Sequence, residues 1–265
     1  MSKRGFLFLS LIIIMSLVLG ACGKSAKPGG STGADVLRVG VDDTYPPMEY
    51  RDEKGNLVGY DIDVAKEVGK RLNREIEFVP TAWSAIFTGL SSGKYDCIIS
   101  SLSITEERMK TIAYTRPYIA NNQVIIVGIG NTDINSEKDL GNKIVAVQMG
   151  TTAEESCNEF MKTTPFKEFK KYEGMTQALN ELKIGRVDAV VSDIVVGKYF
   201  VANDVESFKL VETTLPDEPI GIGFDKKNQE LCDEVDRVLK EMLDDGTLKS
   251  ISEKWFKDDM TKNIK

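Results

Sequence analysis

One eight-residue pattern occurs twice in this chain and constrains its fold more than any other feature. Residues 93–100, Gly-Lys-Tyr-Asp-Cys-Ile-Ile-Ser, match residues 185–192, Gly-Arg-Val-Asp-Ala-Val-Val-Ser, position by position in character. Each has a glycine, a base, an apolar or aromatic residue and an aspartate, then an apolar run closing on serine. A shorter pair precedes them, LRVGV at 37–41 and KIVAV at 143–147. Self-similarity of this kind points to two like units.

The runs between the echoes alternate strand and helix. Residues 61–72 place Val64, Ala65, Val68 and Leu72 on one helical face, with Asp61 able to cap the start. Residues 75–79 read as a strand and 82–90 as a second helix. Ser103-Ile-Thr-Glu106 fits a capping box opening a short helix that carries Arg108. In the second unit, 175–182 reads as helix, 187–191 as strand and 193–201 as helix. Such alternation argues for an α/β protein with parallel sheets and helices on both faces.

The tail adds a strand-like run at 220–224 and a helix striped by Leu231, Val235, Val238, Leu239 and Met242. Asp245-Gly246 breaks it, and a last helix carries Leu248, Ile251 and Trp255. These elements are too few for a third domain. They are expected to return to the first unit, giving lobe 1 over 36–120, lobe 2 over 121–215 and the return over 216–265. The chain then crosses between lobes twice, near Ala120 and over 216–221. Two lobes in simple series with a loose tail are the alternative.

The first residues read as an address. Lys3 and Arg4 precede an apolar run from Phe6 to Ala21, the pattern of a secretory signal and short for a lasting span of about 20 residues. It ends in Leu19-Gly20-Ala21-Cys22, which resembles the lipobox of bacterial lipoproteins. That resemblance implies a signal over 1–21, a lipid on Cys22 and attachment to the cell membrane on its extracytoplasmic side. An uncleaved anchor is the other reading. Residues 23–35 are polar and glycine-rich, as in a flexible tether.

Composition narrows the chemistry. At 42% hydrophobic and 28% charged, the full chain has the composition of an ordinary globular protein. The formal charge is -7, and loss of Lys3 and Arg4 with the signal makes it -9. So acidic a chain ranks nucleic acid low as a partner. There is no histidine, which removes Ser-His-Asp and Cys-His nucleophiles and histidine-containing metal sites. No glycine-rich nucleotide motif is present, and neither metal nor cofactor is expected. Cys97, Cys157 and Cys232 lack CxxC spacing; a disulfide between two of them stays open.

A two-lobed α/β body places its ligand in the cleft, outside the carboxyl ends of its strands. Asp42, Asp43 and Tyr45 follow the first strand, and Trp83 follows the strand ending near Val79. Ser100, Ser101 and Ser103 follow the strand at 97–99. Arg108 offers a planar fork for a carboxylate. Gly150-Thr-Thr152 resembles a helix start able to hold an anion. Asp193 is placed as counter-ion to an ammonium. Each also has a plain reading: turn aspartates in solvent, a core tryptophan, serines that only cap, an aspartate that is only an N-cap. Together they form the inventory for an α-amino acid.

Five stretches in order carry a closer likeness: residues 39–72 (VGVDDTYPPMEYRDEKGNLVGYDIDVAKEVGKRL), 96–118 (DCIISSLSITEERMKTIAYTRPY), 147–155 (VQMGTTAEE), 185–193 (GRVDAVVSD) and 245–256 (DGTLKSISEKWF). In these the chain resembles the extracytoplasmic solute-binding proteins of polar amino acid ABC transporters. The resemblance implies a two-lobed, type II periplasmic-binding-protein fold, a Venus flytrap that acts as a monomer and delivers its ligand to permease subunits. It implies Arg108 and Thr152 for the ligand carboxylate, Ser101 and Ser103 for further backbone contacts, and Asp193 for the ammonium. It also implies Tyr45 and Trp83 around the side chain, with Asp42 and Ser100 at its polar end. Gln148 and Met149 fall where relatives vary, and Ala153 sits where some basic amino acid binders place a polar residue. A basic amino acid is favoured, with glutamine next. The expected protein is not an enzyme. A cyclohexadienyl or arogenate dehydratase on the same scaffold, using Glu49 or Asp193, is one rival, and a module presenting ligand to a membrane sensor is another.

Overall fold

Strands that carry apolar side chains on both faces need helices on both sides, and the chain alternates the two throughout. The computed structural model describes residues 35–262 and Ile264. The signal, Cys22 and the tether as far as residue 34 lie outside the described residues. In chain order come β1 (Asp35–Val41), β2 (Thr44–Tyr45), β3 (Glu49–Arg51), β4 (Leu57–Val58), α1 (Tyr60–Leu72) and β5 (Arg74–Pro80). A 3-10 turn at Trp83–Ala85 leads into α2 (Ile86–Ser91), β6 (Cys97–Ile98), α3 (Glu106–Met109) and β7 (Ile112–Tyr114). The middle holds β8 (Asn122–Gly128), β9 (Ile144–Gln148), α4 (Thr152–Phe160) and β10 (Glu168–Tyr172). It continues with α5 (Met175–Lys183), β11 (Ala189–Asp193), α6 (Ile194–Asn203) and β12 (Phe208–Asp217). The tail holds β13 (Gly223–Asp225), α7 (Gln229–Asp244) and α8 (Thr247–Phe256).

Two five-stranded sheets result, ordered β5-β1-β6-β13-β7 and β10-β9-β11-β8-β12, with a small sheet β2-β3-β4 beside the first. They are mixed, where alternation alone predicted parallel sheets. In the first, β1 runs parallel to β5 and β6, but β13 runs antiparallel to β6 and β7. In the second, β9 is parallel to β10 and β11, and β8 is antiparallel to β11 and β12. The reversed strands β8 and β13 are those by which the chain enters each sheet after crossing from the other. A crossing chain arrives where the parallel strands finish, so it runs back against them. The two crossing segments lie side by side, with Ile220 N–H donating to Ile119 O at 3.1 Å and Glu218 N–H to Asn121 O at 2.9 Å.

The repeated eight-residue pattern is one device used twice. Its glycines, Gly93 and Gly185, sit at φ 72° and 71°, where a side chain is strained. The aspartate three residues later clasps the backbone of the neighbouring strand. Asp96 Oδ2 accepts from Arg38 N at 2.9 Å, and Asp188 Oδ2 accepts from Ile144 N at 2.7 Å. Each aspartate's own N–H donates back to that residue's carbonyl.

Helix α7 buries Cys232, Val235, Val238, Leu239 and Met242, the last four contributing about 1.5–3 kcal/mol each before entropy. Leu231 is only half-buried, so Cys232 takes the first place in the stripe. Cys97, Cys157 and Cys232 are all buried free thiols, so none of the three is bridged. Asp61 does not cap α1: Gly59 is the N-cap residue, and Asp61 lies buried within the first turn.

Gly185→Ala isolates the backbone cost of the echo, because an added Cβ there meets nothing within 4 Å. It should lower unfolding stability by about 1–2 kcal/mol, read from the urea midpoint. An unchanged midpoint would remove the conformational reason for that glycine.

Candidate functional site

The parallel strands of both sheets end at one cleft. The end of β1 presents Asp42, that of β6 leads through Ile99 to Ser100 and Ser101, β9 ends on Gln148, and β11 ends on Ser192 and Asp193. The structure brings all nine expected residues, Asp42, Tyr45, Trp83, Ser100, Ser101, Ser103, Arg108, Thr152 and Asp193, around one cavity. Glu49, Gln148, Thr151, Ala153, Met175 and Ser192 complete the wall. Asp43 instead forms an ion pair with Arg51 at 2.6 Å.

Arg108 is 8% exposed, and among the described residues no carboxylate lies within ion-pair distance of it. Its Nη1 donates to Ser103 O at 3.2 Å, and its guanidinium sits 5.7 Å from the Trp83 ring centre and 5.3 Å from that of Phe87. The helix that carries it is opened by Thr105, whose Oγ1 accepts from Arg108 N at 3.2 Å. Ser103, expected as the cap, instead bridges to Ile220. The capping pattern is displaced because residues 103 and 104 are drawn into pairing with the second crossing, where Ile104 N–H donates to Pro219 O. A buried guanidinium without a counter-ion costs several kcal/mol, so the site is built to meet an anion.

Asp193 occupies the N-cap position of α6 but makes no side-chain capping bond. Its Oδ2 accepts from Tyr45 OH at 2.6 Å and its Oδ1 from Asn121 Nδ2 at 2.7 Å. Burial pushes its pKa up to about 6, opposed by these two hydrogen bonds. Asp42 is 3% exposed and accepts three hydrogen bonds, from Thr44 N at 3.1 Å, Thr44 Oγ1 at 2.7 Å and Gln148 Nε2 at 2.5 Å. Burial raises its pKa while these donors work the other way. All three donate to it, which favours the ionised form.

Several of these bonds cross the cleft. Tyr45 to Asp193, Gln148 to Asp42, Trp83 Nε1 to Gly150 O at 2.9 Å and Ser84 Oγ to Glu173 Oε2 at 3.0 Å each join one lobe to the other. Gly150 is at φ 77°, and an added Cβ would stand 3.5 Å from the Trp83 ring. The structure is therefore the closed arrangement. At the start of α4 the N-cap is Thr151, whose Oγ1 accepts from Glu154 N at 3.3 Å, and Thr152 is the first helical residue facing the cavity.

Residues 37–258 match the bacterial extracellular solute-binding proteins, family 3. The chain belongs to that family. Among its relatives, the arginine-binding extracellular protein ArtP of Bacillus subtilis is 33% identical, covering 96% of this chain and 98% of ArtP. The histidine-binding periplasmic protein of Escherichia coli K12 is 34% identical, covering 93% and 96%. An ancestral arginine-binding protein, solved bound to arginine, is 42% identical with a TM-score of 0.80, covering 83% of this chain and 98% of that one. As in other family 3 solute-binding proteins, this α/β fold is two-lobed.

Asn121 had no signal in the sequence beyond its place next to a crossing. Its role as partner of Asp193 depends on a contact 72 residues away. For Asp193 the sign of the pH dependence follows from its raised pKa. The folded state holds a proton that the unfolded state gives up near 3.8, so stability is fully present below that pH and is lost as pH rises to about 6. Measured against Asp193→Asn, the wild type should lose about 3 kcal/mol across that window and then run level. A difference that does not change with pH would contradict the buried, charge-bearing assignment.

Proposed function

We propose that this chain captures a basic L-amino acid outside the membrane, arginine first, and passes it to an ABC importer. The observation that carries the reading is the charge balance of the cavity. Arg108, Asp193, Asp42 and Glu49 are the charged residue types on its wall. Glu49 is held protonated, since burial and then the nearby Asp61 push its pKa well above the carboxylate range. Three charges remain, one positive and two negative. An α-carboxylate answers Arg108, an α-ammonium answers Asp193, and a cationic side chain answers Asp42. Glutamine satisfies the first two and leaves Asp42 with hydrogen bonds alone, which makes it the second choice.

Relatives named for arginine and histidine binding support the substrate class. Trp83 and Tyr45 supply rings beside the cavity, and a cationic side chain over such a face gains cation–π attraction. The cross-cleft hydrogen bonds provide the closed state that a ligand touching both lobes would select. Capture is proposed to occur without turnover, in a monomer held at the extracytoplasmic face by a lipid on Cys22.

The test is calorimetric titration of residues 24–265, refolded from denaturant, against arginine, lysine, histidine and glutamine. One-to-one binding with a basic amino acid tightest is expected, and silence from folded protein would refute the reading. Arg108→Ala should keep the fold and weaken binding by about 2–5 kcal/mol. Equal affinity would sink the carboxylate assignment. Affinity should also fall about tenfold per pH unit below about 6, as Asp193 takes up its proton.

A further inference from the structure

Of the cavity carboxyls, Asp193 alone is held from the segments that join the lobes, among the described residues. Its Oδ1 accepts from Asn121 Nδ2 at 2.7 Å, and its Oδ2 from Tyr45 OH at 2.6 Å. The two donors differ in origin. Tyr45 reaches Asp193 across the cleft from β2, whereas Asn121 lies on the first crossing and is not part of the cavity wall. Asn121 is 4% exposed. Its backbone is fixed on both sides, with Ala120 N–H donating to Met260 O at 3.0 Å and Glu218 N–H donating to Asn121 O at 2.9 Å.

The other end of the Asn121 amide shows what the side chain is placed to do. Its Oδ1 is buried and meets no donor among the described residues. A buried amide oxygen without a partner is costly and calls for a reason. Turning the amide over would set that oxygen against the Asp193 carboxylate, acceptor against acceptor. The observed orientation gives up one hydrogen bond to make the one that Asp193 receives. Asp193 needs two holds, because the torsion that turns a carboxylate plane has only a broad preference. One donor on each oxygen fixes the plane, and each oxygen keeps a lone pair for a further donor from the cavity.

We propose that Asn121 is a positioning residue for ligand selection, setting the Asp193 carboxylate for an α-ammonium from a backbone tied to the second crossing and to the C-terminal segment. Gln123, two residues further along the chain, pairs with Asp193 across β8 and β11. Asn121 therefore keeps its place beside Asp193 when the cleft opens and Tyr45 withdraws with the other lobe. Discrimination between ligands with and without an α-ammonium then depends on a side chain that touches no ligand.

The charged and titratable groups that face Asp193 are Tyr45, Glu218 and Arg108. A donor to the carboxylate favours its ionised form. Without Asn121, Asp193 takes up its proton at a higher pH.

This role rests on the amino acid reading and deepens it. The test titrates the wild type and Asn121→Ala with arginine and with 5-guanidinopentanoate, which differs from arginine only in lacking the α-ammonium. The wild type should prefer arginine, and Asn121→Ala should lower that preference about tenfold, as expected for one hydrogen bond to a charged group. A lesion that only loosened the protein would weaken both ligands and leave their ratio alone. The loss of arginine affinity in acid should also begin at a higher pH in the variant than the value of about 6 expected for the wild type. An unchanged preference, or an acid limb that does not move, would overturn the positioning role. Asn121→Leu keeps the branched shape without the donor and carries the same comparison if Asn121→Ala does not fold. A wild type that binds neither compound would remove the amino acid reading and this role together. A wild type that prefers arginine, beside a variant whose preference is intact, would leave that reading standing and remove the role of Asn121 alone.

Discussion

Closing the cleft takes Arg108, Asp193 and Asp42 out of water together, and the rest of the site is arranged around that cost. Asp193 is met by Tyr45 and Asn121, and Asp42 by Thr44 and Gln148, all neutral donors. Arg108 has a carbonyl and two aromatic faces, but no ion-pair partner among the described residues. Hydrogen bonds of this kind orient a charge without cancelling it. The opposite charges have to arrive with a ligand, and the mixed sheets are what bring these three side chains to one place. Asp42 stands at the end of β1, Asp193 at the end of β11, and Arg108 just beyond β6.

The same arrangement links binding to closure. Tyr45 and Asp193 belong to different lobes, as do Gln148 and Asp42 and as do Trp83 and Gly150. Residues that would touch the ligand are thus also residues that touch each other across the cleft. A ligand that bridges the lobes strengthens contacts that the closed form already makes, which is how differential affinity shifts such an equilibrium. The two segments that join the lobes are hydrogen-bonded to each other, at Ile119–Ile220 and Asn121–Glu218.

Much of this was legible in the sequence because strand ends are legible. The echo at 93–100 and 185–192 marks β6 and β11, and the residues just after each apolar run, Ser100, Ser101 and Asp193, reach the cavity. What was misread depended on distant partners. Ser103 has the local pattern of a cap, but pairing with Ile220 claims it and Thr105 caps instead. Asp61 has the local pattern of a cap too, yet its hydrogen bonds go to Ser101 and Tyr118, 40 and 57 residues away. The reversed direction of β8 and β13 follows from the crossings, which no periodicity encodes. Asn121 and the cross-cleft bond of Gln148 emerge only when the lobes face each other.

The central claim is that three ligand charges answer three cavity charges. The most direct measurement titrates the protein with arginine and with three analogues, each lacking one charge: citrulline, agmatine and 5-guanidinopentanoate. The account predicts that every analogue binds at least about tenfold more weakly than arginine, a loss of about 1.4 kcal/mol or more for each charge removed. Citrulline binding as tightly as arginine would contradict the role given to Asp42. Equal binding of agmatine or of 5-guanidinopentanoate would do the same for Arg108 or Asp193.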